Sequence, residues 1–195
     1  MKKLYIILII FFSIFNYGLA TDSPIDKGSF LISGGFSFNN LGGELYEDIY
    51  GNRLTSISAV TSLNYFFIPH FAFGINFEIG YASQGTISST MLGVGPQAFL
   101  YLGSTESQLS FRHSVYPFIN ASFYYLRETL IVGGISSTAD GTMILFGGGL
   151  TYMVTNTVGL STKLFYHIDH IKFEDDTVFT GNGFNIWMSF DIFIY

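Results

Sequence analysis

The chain has 195 residues, of which 49% are apolar, 18% aromatic and only 11% charged, and it carries a formal net charge of −6 and no cysteine. Without cysteine it has no disulfides, thiolate metal ligands or thiol nucleophiles, and its many aromatic residues exclude a disordered chain. The negative charge disfavours a nucleic-acid partner, which needs clustered basic residues, and the charged fraction is less than half of the ~25% typical of soluble domains.

The first twenty residues predict a secretory signal peptide. Lys2 and Lys3 form a positive start, residues 4–15 form an apolar core, and Gly18 and Ala20 place small residues before a cleavage site after Ala20. An uncleaved membrane anchor is the alternative, but the apolar run is shorter than the ~20 residues that span a bilayer. We therefore predict a signal peptide at 1–20 and one exported domain at 21–195.

Beyond the signal peptide, the hydrophobic pattern has a period of two residues. From Phe71 to Tyr81 every odd-numbered residue is large and apolar, whereas every even-numbered one is small or polar. A β-strand puts alternate side chains on opposite faces, so this segment has one apolar and one polar face. The same alternation predicts eight strands, at 29–38, 55–67, 71–82, 90–102, 115–127, 142–154, 158–171 and 183–195. No shift in composition divides them, which indicates a single domain.

Two eight-stranded barrels fit this alternation, and they differ in which face lies inside. A soluble lipocalin-like barrel places its apolar side chains inward and needs a charged exterior. A membrane barrel places them outward, against lipid. The polar face here is rich in Gly, Ser and Asn, which suit a narrow filled lumen, and the chain lacks the charges for a soluble exterior. We therefore predict an all-β, antiparallel up-and-down transmembrane β-barrel with Phe73, Phe123 and Phe190 facing lipid.

The lengths of the connections predict the orientation, because membrane barrels have short periplasmic turns and longer external loops. With the N-terminus in the periplasm, the outward connections are 39–54, 83–89, 128–141 and 172–182. Of the periplasmic ones, 68–70 and 155–157 are tight, while 103–114 is long and polar. Aromatic residues near the strand ends predict two interfacial girdles. The inner one contains Tyr65, Phe66, Phe67, Phe71 and Tyr152, and the outer one Tyr81, Tyr125 and Tyr166.

Several segments resemble a known family. Residues 65–74 (YFFIPHFAFG) and 150–160 (LTYMVTNTVGL) resemble the strand–turn–strand unit of the outer membrane protein β-barrel domain family, the small OmpA/OmpX-like barrels. Residues 27–30, 94–96 and 116–118 are similar to the first, fourth and fifth strands of that family. The resemblance covers the whole mature chain and implies the outer membrane of a Gram-negative cell, without specifying chemistry.

The C-terminus departs from the pattern of that family, whose members end on an aromatic residue in lipid-facing register. Here Ile194 is in that register and Tyr195 is one step beyond it. Either the last strand carries a bulge, or Tyr195 lies beyond the last paired position.

A polar network is predicted inside the barrel, with a structural role. Lys163 and Asp191 both have lumen parity, and a last hairpin turning near residue 177 would place them opposite each other as an ion pair. A buried charge is costly unless it is paired, so the pair would serve to satisfy both groups. Glu78 and three amides complete the predicted network, which contains Glu78, Lys163, Asp191, Asn64, Asn76 and Asn120.

No histidine has a nucleophile in a convincing position. The lipid-facing His170 is followed two residues later by Lys172 rather than by the serine that outer-membrane acyl hydrolases need, and His167 points inward near Asp169. The glycines at 147–149 lie within a strand and lack the Lys-Ser/Thr of a phosphate loop. We therefore predict no catalytic residues, no cofactor and no metal site.

Acidic residues cluster in two predicted external loops, and they either solvate the loops or bridge to lipopolysaccharide phosphates through divalent cations. The clusters are Glu44, Glu47 and Asp48 in the first loop, and Glu174, Asp175 and Asp176 in the last.

The sequence thus predicts a monomeric outer membrane barrel that contacts lipids and lipopolysaccharide. Its predicted role is structural or surface-interacting, in envelope integrity or adhesion, through loops that contact a protein or a host surface. The alternative is a narrow, porin-like passive channel, and a lipid-modifying enzyme is less favoured.

Overall fold

The computed structural model describes residues 23–41, 48, 50–103, 110–173 and 178–195, and the predicted signal peptide lies outside this part of the chain. The described residues form eight strands: β1 (Phe30–Leu41), β2 (Leu54–Ile68), β3 (Phe71–Gln84), β4 (Ile87–Tyr101), β5 (Val115–Val132), β6 (Ile135–Met153), β7 (Val158–Phe173) and β8 (Val178–Ile194). Across these ranges, no helix is both long and apolar enough to cross a membrane.

The strands close into one barrel, in which each strand pairs antiparallel with the next and β8 pairs with β1. If each residue is followed to its partner on the next strand, starting at Phe30 on β1, the line of pairs ends at Phe184 on β8. With the β1–β8 register extended, Phe184 lies opposite Asn40 on β1, so the line returns to β1 ten residues beyond its start. Such a stagger tilts the strands and leaves a lumen narrow enough for side chains to fill. The predicted eight-stranded up-and-down barrel is confirmed.

The apolar face of the strands points outward. Phe73, Phe123 and Phe190 are 46%, 41% and 61% exposed on the outer surface. The alternate residues point inward, and among them Asn76 and Asp191 are fully buried. A lipocalin-like arrangement would reverse these two faces, so the structure excludes it.

The closing pair of strands is paired over a shorter stretch than its neighbours. β1 and β8 pair only over Phe30–Gly35 and Ser189–Ile194, although β1 remains paired with β2 as far as Leu41 and β8 with β7 as far as Val178. We call the end of the barrel that carries the chain termini the terminal end, and the opposite one the distal end. The stretch where residues 36–41 and 183–188 face each other without pairing is called the open seam.

Two distal connections are shorter than predicted. The expected loop at 128–141 is a hairpin, because β5 and β6 continue to Val132 and from Ile135 and are joined by Gly133 and Gly134. Both glycines have positive φ angles, 56° and 86°, which suit a two-residue hairpin turn. The expected loop at 83–89 is likewise a tight turn containing Gly85, with φ of 60°. The alternation of side chains weakens in these segments, so the sequence did not predict them as strands.

At the terminal end, the structure corrects the prediction for Phe66 and decides between the two alternatives for Tyr195. Phe66, predicted in the inner girdle, is instead fully buried within the barrel, because it shares the inward parity of Ser62 and Asn64 on β2. Tyr195 follows the last residue of β8, so it lies beyond the last paired position. Its hydroxyl donates a hydrogen bond to the Asn156 carbonyl oxygen at 3.0 Å, and its ring contacts Phe111.

Candidate functional site: the barrel lumen

The terminal third of the lumen is filled by aromatic and aliphatic side chains, which we call the apolar plug. Its buried members are Ile25, Leu31, Phe66, Ala72, Phe99, Tyr101, Phe111, Tyr116, Phe118, Met153 and Phe193. Tyr101 lies at the centre, with its ring centroid 5.2 to 6.2 Å from those of Phe66, Phe99, Phe118 and Phe193. The prediction that small and polar residues fill the whole lumen is wrong at this end. The inward parity of these aromatic residues was the signal that could have revealed the plug.

The segment before β1 covers the plug. Ile25 is fully buried, and its carbonyl oxygen accepts a hydrogen bond from the His70 backbone at 2.8 Å. The Gly28 backbone donates to the Phe66 carbonyl oxygen at 2.9 Å. The connection after β4 adds Phe111 to the plug. These two segments therefore cover the plug at the terminal mouth of the barrel.

Asp191 is a buried carboxylate bound by hydroxyl groups from three strands. Its Oδ1 accepts hydrogen bonds from Ser33 of β1 at 2.5 Å and from Ser189 of β8 at 3.1 Å. Its Oδ2 accepts one from Ser161 of β7. Several donors compensate for the water that a buried carboxylate loses. We call these four residues the Asp191 hub, and it joins β1 to β8 where the two strands are paired.

The predicted ion pair between Lys163 and Asp191 is wrong. The β7–β8 register places Lys163 opposite Trp187 and Asp191 opposite Gly159. This register centres the hairpin near residue 175 instead of 177, and in the described residues no ion pair joins the two side chains. Lys163 is buried, and its ammonium lies 5.5 Å from the centre of the Phe99 ring. That distance is within the range of a cation–π interaction.

A layer of amide side chains crosses the lumen beyond the plug. Gln97 Nε2 donates a hydrogen bond to Asn64 Oδ1 at 2.8 Å, and Asn76 Nδ2 donates to Gln97 Oε1 at 3.3 Å. Asn120 is also buried, with Nδ2 3.5 Å from Ser122 Oγ. Gln97 thus connects the predicted Asn64 and Asn76. It was not among the predicted network residues, although it points inward, because the other inward residues of its strand in the prediction are glycines.

Glu78 lies on the distal side of the amide layer. It is only 7% exposed, and its Oε2 atom has no hydrogen-bond partner among the described residues. A second apolar cluster lies beside it, and Met91 and Trp187 pack against this cluster; its members are Tyr124, Leu126, Met143, Leu145 and Phe165. A buried carboxylate oxygen without a partner is rare and calls for an explanation.

Of the predicted loop acids, only Asp48 belongs to the described residues; Glu44, Glu47, Glu174, Asp175 and Asp176 lie outside them. Asp48 Oδ1 accepts hydrogen bonds from the backbones of Tyr50 and Asn52, and Oδ2 accepts one from the Asn52 amide. The hydrogen bonds from Asn52 and Tyr50 hold the pKa of Asp48 below its usual value. This carboxylate therefore organises its own loop.

The described residues place no serine hydroxyl against an imidazole. The hydrogen bonds of histidine side chains join His113 to Tyr152, and His167 Nδ1 to Asp169 Oδ2 at 3.0 Å. Within the same part of the chain, no group of three or more His, Asp or Glu residues is placed to hold a metal ion. The polar groups of the lumen that are suited to binding are its buried carboxylates and its amide layer.

Solved structures of small bacterial barrels share this fold. The crystal structure of Neisserial surface protein A (NspA) matches 86% of this chain and 97% of its own, with a TM-score of 0.59 and 16% identity. The N-terminal β-barrel domain of Pseudomonas aeruginosa OprF matches 86% of this chain and 98% of its own, with a TM-score of 0.52 and 13% identity. No family model matches the sequence, and no curated protein matches it either. The likeness therefore confirms the fold that the sequence resemblance implied.

Proposed function

We propose that the protein is an integral barrel of the bacterial outer membrane, exported by residues 1–20, with a structural or surface-interacting role. The observation that carries the proposal is the outward belt of exposed apolar side chains, to which all eight strands contribute. One member from each strand is Ile32, Leu63, Phe73, Leu92, Phe123, Phe146, Leu164 and Phe190. Soluble proteins rarely expose a continuous apolar surface of this kind, whereas lipid requires it.

The tyrosines at the two edges of the belt support the same proposal. Tyr152 is exposed near the terminal end, and Tyr81 and Tyr125 are exposed toward the distal end. Amphipathic rings favour both interfaces of a membrane. The belt would then lie between these tyrosines, with the termini in the periplasm and the barrel contacting lipid as a monomer.

The filled lumen favours a structural role over that of a passive pore. The apolar plug closes the terminal mouth, and the amide layer crosses the lumen above it. An eight-stranded barrel filled in this way leaves little room for water or solutes. We also propose no enzymatic role, since the described histidines have no serine partner.

The β5–β6 hairpin supports a surface-interacting role. It continues beyond Tyr125 to its turn at Gly133 and Gly134, so that its tip would project from the membrane. Ile131 and Val132 are exposed near the tip, and Ile135 is 78% exposed. Apolar side chains in contact with water often mark a site of protein interaction. The partner proposed here is a protein or a host surface.

The membrane location is tested by moving the single tryptophan of the chain. Trp187 is replaced in the double variant W187F/F73W, so that the fluorophore sits in the outward belt. In phosphatidylcholine vesicles with brominated acyl chains, we expect strong quenching of this fluorescence because position 73 contacts lipid. The matched control is W187F/R112W, since Arg112 is exposed in a turn at the terminal end. Equal quenching at both positions would contradict the membrane location.

The surface role is tested by photo-crosslinking in intact cells. A benzophenone amino acid at position 135 should form a protein adduct, because that side chain would stand outside the membrane. The same amino acid at position 119, in the outward belt, should react with lipid only. A failure to form protein adducts at position 135 would contradict the surface interaction and leave a purely structural role.

A further inference from the structure

The open seam is a lateral gap in the distal half of the barrel wall. The β1–β8 ladder stops at the pair of Gly35 and Ser189. Apolar side chains beside the gap are the most exposed of the belt: Phe36, Phe184, Ile186 and Met188 are 71–74% exposed. For comparison, Phe73 and Phe123 on fully paired strands are 46% and 41% exposed. The difference follows from the missing neighbour on one side of each strand.

A cavity of about 560 Å³ lies at this gap. Its lining includes Ser37 of β1 and Phe184, Ile186 and Trp187 of β8, which belong to the stretch where the two strands are not paired. Glu78 of β3 lines the same cavity from inside the barrel. The cavity therefore lies in the distal lumen and borders the gap in the wall.

The inner part of this cavity is acidic. Glu78 is 93% buried, with an Oε2 atom that no described residue satisfies, and Glu128 lines the same cavity. Asp169 lies nearby opposite Gly181; its Oδ2 is bonded to His167 Nδ1, and its Oδ1 is buried without a partner among the described residues. Among the described residues that line the cavity there is no lysine or arginine. These carboxylates are suited to a positively charged group.

The outer part of the cavity is apolar and has unpaired strand edges. Its outward residues Phe184 and Ile186 offer an apolar surface to an alkyl chain, and the carboxylates of the inner part offer partners to a charged head. A molecule with both properties is a single-chain amphiphile.

We propose that the open seam is a lateral port, through which a single-chain amphiphile with an ammonium head enters the lumen from the outer leaflet. The ammonium group binds Glu78, and the chain leaves between the strands along Phe184 and Ile186. The port rests on the proposed membrane location, but it adds a ligand class and a binding site to it.

Trp187 reports on the port directly, because it lines the cavity and is the single tryptophan of the chain. The full mature chain is refolded in phosphatidylcholine vesicles and titrated with an alkyl ammonium that carries bromine on a carbon near its head, where it would contact the indole. The alkanoate of the same chain length, brominated at the same distance from its head, is the matched probe. We expect saturable quenching by the ammonium at a concentration about tenfold lower, as expected for a hydrogen bond to a charged group.

Glu78→Gln should remove this preference, because the amide keeps the shape and loses the charge. Asp26→Asn, at the terminal end, should keep it. Ser58→Phe should abolish saturable quenching by placing a ring in the cavity, with heat-modifiable migration on a gel confirming that the variant is folded. Equal response of the wild type to both probes, no saturable quenching at all, or an unchanged preference in Glu78→Gln would each overturn the port.

The W187F/F73W variant separates this failure from a failure of the proposed location. If position 73 is quenched by brominated lipid while Trp187 shows no preference for the ammonium, the barrel lies in the membrane without a port. If position 73 is not quenched, the membrane location fails and the port fails with it.

Discussion

At the terminal end of the barrel, β1 and β8 are joined by a ladder from Phe30 to Gly35, and the Asp191 hub links both strands to β7. At the distal end, the same two strands run on without pairing, and the nearest buried carboxylate, Glu78, has an oxygen without a partner among the described residues. The two halves of the seam thus differ in their buried acids. In the paired half Asp191 accepts hydrogen bonds from three serines, whereas beside the unpaired half Glu78 has an oxygen without a partner among the described residues.

The lumen shows the same contrast along the barrel axis. Its terminal third is a packed apolar plug, in which side chains lie in contact as in the core of a soluble protein. Its distal part contains the cavity at the open seam. Packing energy is therefore concentrated where the barrel is closed, and room for a ligand exists where it is not.

The largest effect is expected from emptying the centre of the plug. Tyr101→Ala should lower the free energy of unfolding by about 3–5 kcal/mol, as for other buried aromatic residues, because it leaves a cavity among four rings. The shift of the urea midpoint in vesicles measures this loss. A much smaller loss would mean that the plug can collapse around the missing ring and does not anchor the terminal half.

Tyr101→Phe is the matched control for that change. The hydroxyl of Tyr101 is buried near Thr151, but it makes no hydrogen bond of good geometry in the described part of the chain. Replacing it by hydrogen removes an unsatisfied polar atom, so the urea midpoint should stay the same or rise. A loss approaching that of Tyr101→Ala would show that the hydroxyl, and not the ring, is the stabilising group.

A smaller effect is expected from removing the hub that closes the seam. Asp191→Ala deprives three serine hydroxyls of their acceptor and should cost about 2–4 kcal/mol, measured by the urea midpoint. Asp140→Ala is the exposed control. Its ion pair with Arg127 (3.1 Å) lies on the surface, where water and salt screen it, so this change should leave the urea midpoint nearly unchanged.

Lys163→Met completes the comparison at the smallest effect. An Asp191–Lys163 pair of the predicted kind would make this change strongly destabilising. In the described part of the chain, Lys163 lies near the Phe99 ring without a direct ion pair, so methionine of similar length removes a buried charge and the urea midpoint should stay the same or rise. A loss as large as that of Asp191→Ala would show that the two charges act as one unit.

The register of β7 and β8 shows where sequence reasoning stops. Moving a strand by an even number of residues keeps every side chain on its face, so alternation cannot distinguish a partner at 191 from one at 187. The same limit applies to the seam, because the alternation of β1 and β8 says nothing about where their ladder ends. Gln97 illustrates a third limit: its parity was visible, but its bonds to Asn64 and Asn76 depend on how neighbouring strands are aligned.

The sequence by itself determined the number of strands, their antiparallel order and the apolar face that points outward, because these depend on the local chemistry of alternate residues. The tertiary structure alone decided the register of the last hairpin, the hydrogen bonds to Asp191, the Glu78 oxygen without a partner among the described residues, and the gap beside it. Those features depend on pairing between strands that are far apart in the sequence. The pairing between β1 and β8 ends at Gly35, although β1 continues to Leu41.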